Sequence, residues 1–134
     1  MRVILDTNVF ISGIFFSGPP FEILSAWKHS RIQIVITKEI LKEYQRVAES
    51  LMDKLPTVDI LPIIELVTIH SLFIDTEGIS LSVCEDPDDD KFIECAIASK
   101  TEMIVSGDKH LLKVTGYQGI NVLKPRVFVD NYLQ

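Results

Sequence analysis

The sequence predicts an α/β fold, specifically a three-layer α/β/α sandwich with a mainly parallel central sheet. Short, mainly apolar runs alternate along the chain with segments of helical periodicity, which is the order expected when helices connect parallel strands. The first run, Val3-Ile4-Leu5, has no polar position, as is typical of a strand whose sheet is covered on both faces. No linker or repeat divides the 134 residues, so a single domain spanning residues 1–134 is expected.

The predicted strands are short runs in which most residues are apolar. Residues 67–74 fit either a further strand or an extension of the helix before them. The remaining strands are predicted over residues 3–5, 32–36, 103–106 and 120–123.

The helices are predicted from apolar residues at helical spacing and from their start signals. Thr37 fits the N-cap of one helix, and Glu39 lies in its first turn, facing the positive end of the helix dipole. Pro125 suits the first turn of the last helix. Residues 17–20 interrupt the helical pattern, and residues 75–84 form a connection. The predicted helices cover residues 9–16, 21–29, 38–51, 56–66, 91–100, 108–114 and 125–132.

Composition indicates a globular protein without a membrane span. Hydrophobic residues make up 47% and charged residues 24%, proportions that are ordinary for a packed domain. The first apolar run is interrupted at Asp6, so it lacks the long apolar region of a signal peptide. Cys84 and Cys95 match no metal-ligand spacing, and Cys95 lies in an apolar helical stretch. Reduced, buried thiols and a cytoplasmic location are therefore expected.

The net charge of −6 at first argues against nucleic acid as a partner. The acids, however, are concentrated at a few points of the chain. Setting seven of them aside changes the charge from −6 to +1, so the charge permits nucleic acid without indicating it. The seven are Asp6, Glu43, Asp86, Asp88, Asp89, Asp90 and Asp108.

Four carboxylates lie after a predicted strand, on a predicted helix or just ahead of one. Asp6 follows the first strand and Asp108 follows the strand predicted over 103–106, so both should lie at the edge of the sheet where α/β proteins bind ligands. Glu43 lies on its own helix, and Asp89 belongs to the acidic cluster ahead of another. Carboxylates gathered in a cleft repel one another, and a hard divalent cation offsets that cost. The pattern predicts a magnesium or manganese site.

Helix geometry indicates which acid of the cluster points inward. At about 100° per residue, the apolar arc of the helix predicted over 91–100 is centred near Ala96, and Asp89 projects to roughly 20° from it. Asp90 and Glu94 lie about 120–160° away, toward solvent. Asp89 is predicted to point inward, with Asp90 as the alternative because helix starts fray. Glu43 falls at the border of its own apolar stripe, from which it can reach the sheet edge.

Each acid also has an ordinary structural interpretation. Asp6 and Asp108 could cap the helices that follow them, and Glu43 could be a solvated helix residue. Their correlated placement on the predicted topology favours a shared site instead. The histidines show no pairing at ligand spacing, and the chain has no nucleophile elbow, Walker loop or dinucleotide-binding glycine fingerprint. Capping and turn roles also fit three members of the acidic cluster, namely Asp86, Asp88 and Asp90.

The chain resembles the PIN domain in four motifs. More narrowly, it is similar to the PIN proteins described as toxin components of prokaryotic toxin–antitoxin systems. The resemblance extends through Pro125-Arg126-Val127-Phe128, whereas residues 52–84 carry no family motif. The motifs are Asp6-Thr7-Asn8, the helical Glu43, Asp86-Pro87-Asp88-Asp89 ahead of Lys91-Phe92-Ile93-Glu94-Cys95-Ala96, and Val105-Ser106-Gly107-Asp108-Lys109-His110-Leu111-Leu112.

The resemblance implies a metal-dependent ribonuclease with a Rossmann-like sandwich. One or two Mg²⁺ or Mn²⁺ ions, held mainly by Asp6, Asp89 and Asp108 with Glu43 adjacent, would activate water for hydrolysis of an RNA phosphodiester. Asn8 and Ser106 would occupy the small polar positions of the family, and Asp90 stays open as the third acid. The resemblance further implies an RNA substrate, an antitoxin protein as partner and a homodimer. The acidic quartet would be Asp6, Glu43, Asp89 and Asp108.

Two other functions compete with this interpretation. A phosphatase in which Asp6 becomes phosphorylated needs a second acid two residues on, where Asn8 stands instead. A catalytically silent PIN-like module that binds RNA or a protein is disfavoured because all four acids are present. In the nuclease interpretation the candidates for steering RNA are Lys38, Lys42, Lys91 and Lys109.

Overall fold

A five-stranded, all-parallel sheet forms the centre of the computed structural model, which describes residues 1–56 and 58–134. Thr57 lies outside the described residues. The strands are β1 (Arg2–Leu5), β2 (Gln33–Ile36), β3 (Leu72–Phe73), β4 (Met103–Val105) and β5 (Asn121–Leu123).

Among the described residues, six helices connect these strands and a seventh follows the last strand. Short 3₁₀ turns occur at Pro87–Asp89 and Tyr117–Gly119, and a π-helical segment, Val129–Leu133, follows the last helix. The helices are α1 (Thr7–Phe15), α2 (Pro19–Lys28), α3 (Lys38–Met52), α4 (Leu61–His70), α5 (Asp90–Ser99), α6 (Lys109–Leu112) and α7 (Pro125–Phe128).

Burial of the central strand demonstrates that the sheet is covered on both faces. Val3, Ile4 and Leu5 are consecutive and all fully buried, although successive strand residues point to opposite faces. Helices must therefore pack on each side, which is the arrangement of an α/β/α sandwich. The predicted fold class, with its parallel sheet, is confirmed.

The order of the strands places β1 at the centre and creates one reversal of direction. The sheet runs β3-β2-β1-β4-β5, so the chain moves outward in one direction through β2 and β3 and then crosses to β4 and β5. Ligands in open α/β sheets bind in the crevice beyond the carboxyl ends of the strands at such a reversal. Here that crevice lies between the ends of β1 and β4.

The fourth helix differs from its prediction. A helix was expected over residues 56–66, but α4 begins at Leu61 and runs to His70. The Asp59 side chain accepts a hydrogen bond from the Leu61 backbone N–H at 3.1 Å, and Pro62 fits the first turn, so the start signals lie later than Pro56. The region 67–74 divides into the end of α4 and the two-residue strand β3, which pairs with Val35 and Ile36 of β2.

The last helix also ends earlier than predicted. A single helix was expected over 125–132, whereas α7 stops at Phe128 and the chain continues as the π-helical segment. Within the described residues no single helix is long and apolar enough to cross a membrane. The pair α1 and α2 meets that criterion together by length and composition, with a bend of 87° at its break.

Candidate active site

An acidic cleft of about 210 Å³ lies at the carboxyl ends of β1 and β4. Arg46, Val47 and Phe92 contribute to its walls together with Thr7 and Asn8. We refer to it as the acid cleft. Its carboxylates come from four separate regions of the chain and are Asp6, Glu43, Asp86, Asp88, Asp89 and Asp108.

Asp6 is held in the acid cleft from two sides. It follows β1 directly, is 4% exposed and caps α1 by accepting a hydrogen bond from the Val9 backbone N–H at 2.9 Å. The Ser106 hydroxyl donates to its other oxygen. Burial raises the pKa of Asp6, the hydrogen bonds from Ser106 and Val9 oppose that shift, and the nearby Asp108 charge adds to it. The capping role and the position in the cleft are therefore combined in one carboxylate.

Ser106 joins the ends of β1 and β4. It is fully buried, donates to Asp6, and accepts a hydrogen bond from the backbone N–H of Asp108 at 2.9 Å. Asp108 in turn caps α6 through the His110 backbone N–H at 2.8 Å. A single hydroxyl group thus fixes the relative positions of two acids that are 102 positions apart in sequence.

Asp89 carries the least compensated charge in the acid cleft. It ends the 3₁₀ turn that precedes α5, and its Oδ2 atom is buried with no hydrogen-bond partner among the described residues. Burial, together with the charges of Asp108, Asp86 and Asp6, raises the pKa of Asp89 to about 6, and the nearby His110 opposes part of that shift. An unpaired oxygen surrounded by acids is the arrangement that a cation would relieve.

Asp90 was predicted to face solvent, and that prediction is wrong. Its side chain is 6% exposed, and its Oδ1 atom accepts hydrogen bonds from the backbone N–H groups of Val83 and Cys84 at 3.0 and 2.9 Å. Glu94 is likewise partly buried and accepts from the Leu81 backbone N–H at 3.0 Å. The segment 81–84 covers this side of α5, which a helical wheel cannot show. Asp90 anchors that segment and does not line the acid cleft, whereas Asp89 does.

Glu43 is bound by two side chains of other elements. The Thr7 hydroxyl at the start of α1 donates to one of its oxygens, and the Lys91 ammonium group on α5 lies 2.6 Å from the other. Arg46 is more distant at 3.9 Å. Lys91, a predicted contact for RNA, is largely buried and paired with Glu43 instead. Glu43 therefore enters the acid cleft with its charge partly neutralised.

A stacked aromatic pair, Phe10 and Tyr44, packs next to Glu43. The neighbouring Tyr44 is fully buried, stacks on Phe10 with ring centroids 4.2 Å apart, and donates its hydroxyl to the Leu5 carbonyl oxygen. Burial raises the pKa of Tyr44 well above its usual value, so the group remains a donor. This contact fixes α3 against the end of β1, where Asp6 follows.

Thr7 and Lys91 were not predicted to organise the site. Their partner Glu43 lies 36 and 48 positions away, respectively, so no local spacing connects them. In the sequence, Thr7 is marked only as the middle residue of the Asp6-Thr7-Asn8 motif. Asn8 is exposed at the start of α1 and lines the acid cleft, as expected for a small polar residue near the acids.

Lys91→Met is expected to lower the free energy of unfolding by about 1.5 kcal/mol at pH 7, because it leaves a mostly buried carboxylate without its partner. Urea unfolding measures the change. The double variant Glu43→Gln/Lys91→Met is expected to recover most of it, since both charges are then absent. Lys109→Met removes an exposed lysine of the same type and is the matched control. Equal losses of unfolding free energy in Lys91→Met and Lys109→Met would contradict the pairing of Lys91 with Glu43.

The acids fit a hard divalent cation by chemistry, although not as a ready ligand set. Within residues 1–56 and 58–134, no three carboxylate, imidazole or thiol groups converge closely enough to hold an ion as the side chains stand. Asp6, Asp108 and Glu43 are each engaged by hydrogen bonds or an ion pair, whereas Asp89 has a free buried oxygen. Oxygen donors of this kind are those that Mg²⁺ and Mn²⁺ prefer.

Comparison with known proteins agrees with the fold. A protein of Methanocaldococcus jannaschii, described as "Uncharacterized protein MJ1680", is 32% identical to this chain over 144 aligned residues, which cover 98% of this chain and 92% of that protein. The family described as PIN domain matches residues 2–110, a span that includes the strand ends bearing Asp6 and Asp108 and the acids between them. This chain therefore belongs to the PIN domain family.

Proposed function

We propose that this protein is a metal-dependent endoribonuclease that hydrolyses RNA phosphodiester bonds. The observation that supports the proposal most directly is the gathering of Asp6, Glu43, Asp89 and Asp108 in one cleft at the sheet reversal. PIN domains are generally nucleases, which agrees with this arrangement. The resemblance to PIN toxins favours RNA over DNA.

Asp89, Asp108 and Asp6 would hold Mg²⁺ or Mn²⁺, with Glu43 adjacent. When bound, the cation supplies a water of lowered pKa and offsets negative charge on the scissile phosphate. The Oδ2 atom of Asp89, which has no hydrogen-bond partner among the described residues, would be the first ligand, and the other carboxylates would complete the set. The pairing with Lys91 makes Glu43 a secondary ligand in this scheme.

The other residues of the acid cleft would position the reacting groups. Ser106 keeps Asp6 and Asp108 at a fixed separation, so their oxygens face one volume of solvent. Thr7 and Lys91 fix the orientation of Glu43, whose oxygens can accept a proton or a hydrogen bond from water. Asn8 at the open side can donate its amide N–H groups to a phosphate oxygen.

The geometry disfavours the phosphatase alternative. A phosphorylated Asp6 would need one free carboxylate oxygen for attack, but both of its oxygens already accept hydrogen bonds and the side chain is almost fully buried. The catalytically silent alternative has no comparable geometric objection, and it is separated from the enzyme by the cleavage experiment below.

The biological setting is a further part of the proposal. We infer a cytoplasmic toxin whose antitoxin, encoded beside it, blocks the acid cleft or its basic rim, and we expect the protein to form a homodimer. These inferences depend on the resemblance to PIN toxins.

Removal of the metal tests the proposed activity. Single-stranded RNA is expected to be cleaved internally with Mn²⁺ or Mg²⁺ and to remain intact when EDTA is added. Without the cation, the acids supply no positive charge to offset the negative charge of the phosphate. Gel analysis of end-labelled RNA measures the products, and DNA of the same sequence is the control. RNA that is bound but uncleaved at millimolar Mn²⁺ would favour the silent module instead.

A further inference from the structure

A groove between α1 and α3 continues from the acid cleft. Asn8 and Val47 line both the cleft and this groove, so the two lie directly side by side. The groove has a volume of about 320 Å³, and we refer to it as the α1–α3 groove. A chain-like ligand seated on the acids would have a direct path into it.

The residues of the α1–α3 groove come from matching faces of its two helices. On α1, Asn8 is followed by Ser12 and then by Phe16 just beyond the helix end, at intervals of four residues. Residues four apart lie on the same side of a helix. On the other wall, Ser50 and Lys54 continue the line that begins at Val47. The groove is therefore a built surface with one direction, leading away from the acids.

The chemistry of the α1–α3 groove is opposite in sign to that of the acid cleft. Lys54 is exposed at its far end, and no carboxylate lines it among the residues that the structure describes. Phe16 is 55% exposed, although a phenylalanine of that exposure loses more by facing water than most surface residues. Arg46, with a side chain 73% exposed, stands at the rim of the cleft near the point where the groove begins.

We propose that the α1–α3 groove seats the single-stranded RNA on one side of the scissile phosphate. Phe16 stacks on a base, Lys54 contacts a phosphate, and Ser12 and Ser50 accept or donate hydrogen bonds between them. Aromatic side chains interleaved with cations are the usual means of binding single strands without a fixed sequence. The inference rests on the proposed nuclease function, which supplies the strand that passes over the acids.

Continuity and charge favour RNA over a protein segment in this groove. An apolar helix of a partner would need a longer apolar floor than one interrupted by two serines and an asparagine. A negatively charged strand, in contrast, is drawn to Lys54 and Arg46, while its scissile phosphate would lie beside the acids that would hold a cation. From Asn8 to Phe16 the groove is about 12 Å long, which accommodates about three stacked nucleotides.

The test compares the double variant Phe16→Ala/Lys54→Ala with Phe21→Ala/Lys28→Ala. The second pair removes one similarly exposed phenylalanine and one exposed lysine from α2, away from the groove, and is the matched control. Fluorescence anisotropy with a 12-nucleotide single-stranded RNA in Ca²⁺ measures affinity, and cleavage in Mn²⁺ is measured separately. All residues involved are at the surface, and thermal melting verifies that each variant is folded.

Phe16→Ala is expected to weaken RNA binding about tenfold. Lys54→Ala is expected to weaken it about threefold and to reduce the slope of log affinity against log salt by about 0.7. The double variant should therefore bind about 30-fold more weakly, and the control should stay within about twofold. Extending the RNA on one side of the cleavage point should improve wild-type KM for about three nucleotides, with no such improvement in the double variant.

Unchanged RNA affinity in the double variant, or equal loss in the control, would overturn the groove assignment. Unchanged RNA affinity in a double variant that also sediments at a smaller mass than the wild type would overturn it as well, because the groove would then bind a second copy of the chain. Cleavage that is independent of the groove overturns only this inference. RNA binding that depends on the groove, with no cleavage, supports the groove and overturns the proposed nuclease function. Wild-type protein that neither binds nor cleaves RNA overturns both.

Discussion

Asp6→Asn is expected to reduce metal-dependent RNA cleavage by about 100-fold or more, because the variant loses a charge that the cation needs. The substitution keeps the shape of the side chain. Its remaining oxygen can still accept from the Val9 backbone N–H, and its amide N–H can donate to the Ser106 hydroxyl. Burial already disfavours the charged form of Asp6, so the neutral residue should not destabilise the fold.

Cleavage and thermal melting, measured on the same preparation, separate these two effects. Asp130→Asn changes an exposed aspartate far along the chain and is the control for the loss of one negative charge. Full activity in Asp6→Asn would remove Asp6 from the mechanism. A melting temperature several degrees below that of the wild type would instead show that the cap on α1 cannot be made by asparagine.

Asp89→Asn is expected to lose about 100-fold in activity and yet to gain stability when no metal is present. Burial and the charges of three neighbouring acids raise the pKa of Asp89 to about 6, and its Oδ2 atom has no hydrogen-bond partner among the described residues, so the folded chain disfavours its charge. The group is only partly buried, and solvent screens much of this effect. About 1 kcal/mol, or about 4 °C in Tm, is the expected gain in EDTA at pH 7.5.

The sign of the pH dependence follows from the raised pKa of Asp89. Because the folded chain binds this proton more tightly than the unfolded chain, the free energy of unfolding falls as pH rises from about 4 to about 6. The stability difference between Asp89→Asn and the wild type should therefore be present at pH 7.5 and vanish near pH 4. Differential scanning calorimetry in EDTA measures it.

Manganese provides the second readout for Asp89. Adding Mn²⁺ should raise the Tm of the wild type more than that of Asp89→Asn, since the cation binds the folded chain through this carboxylate. Asp88→Asn changes an exposed acid of the same cleft and should behave like the wild type. A variant that is less stable than the wild type in EDTA at pH 7.5 would refute the idea that Asp89 is electrostatically strained.

The sheet could be predicted because its strands are short and mostly apolar. Parallel strands that are covered on both faces are near-continuously apolar, so the pattern in residues 3–5 and 103–105 was already informative. The placement of Asp6 and Asp108 in one cleft follows from that topology, since Asp6 directly follows β1, Asp108 comes three residues after the end of β4, and these strands lie side by side. The catalytic role of either acid stays a prediction.

Contacts between distant segments were beyond the sequence. The periodicity of α5 correctly marked the buried face around Ala96, but the segment 81–84 packs on the other face and buries Asp90. The pairs of Glu43 with Thr7 and with Lys91 depend on how three helices approach one another. The helix predicted from Pro56 begins at Leu61 instead, where the backbone N–H donates to the Asp59 side chain.

The hydroxyl that joins Asp6 to the end of β4 has a consequence for synthesis. The acids at 6, 43, 89 and 108 span most of the polypeptide, and the bridge is made by residue 106. A nascent chain on the ribosome already carries Asp6 while its partner hydroxyl has not been translated. Any chemistry that needs all four acids together can therefore arise only after residue 108 has been translated.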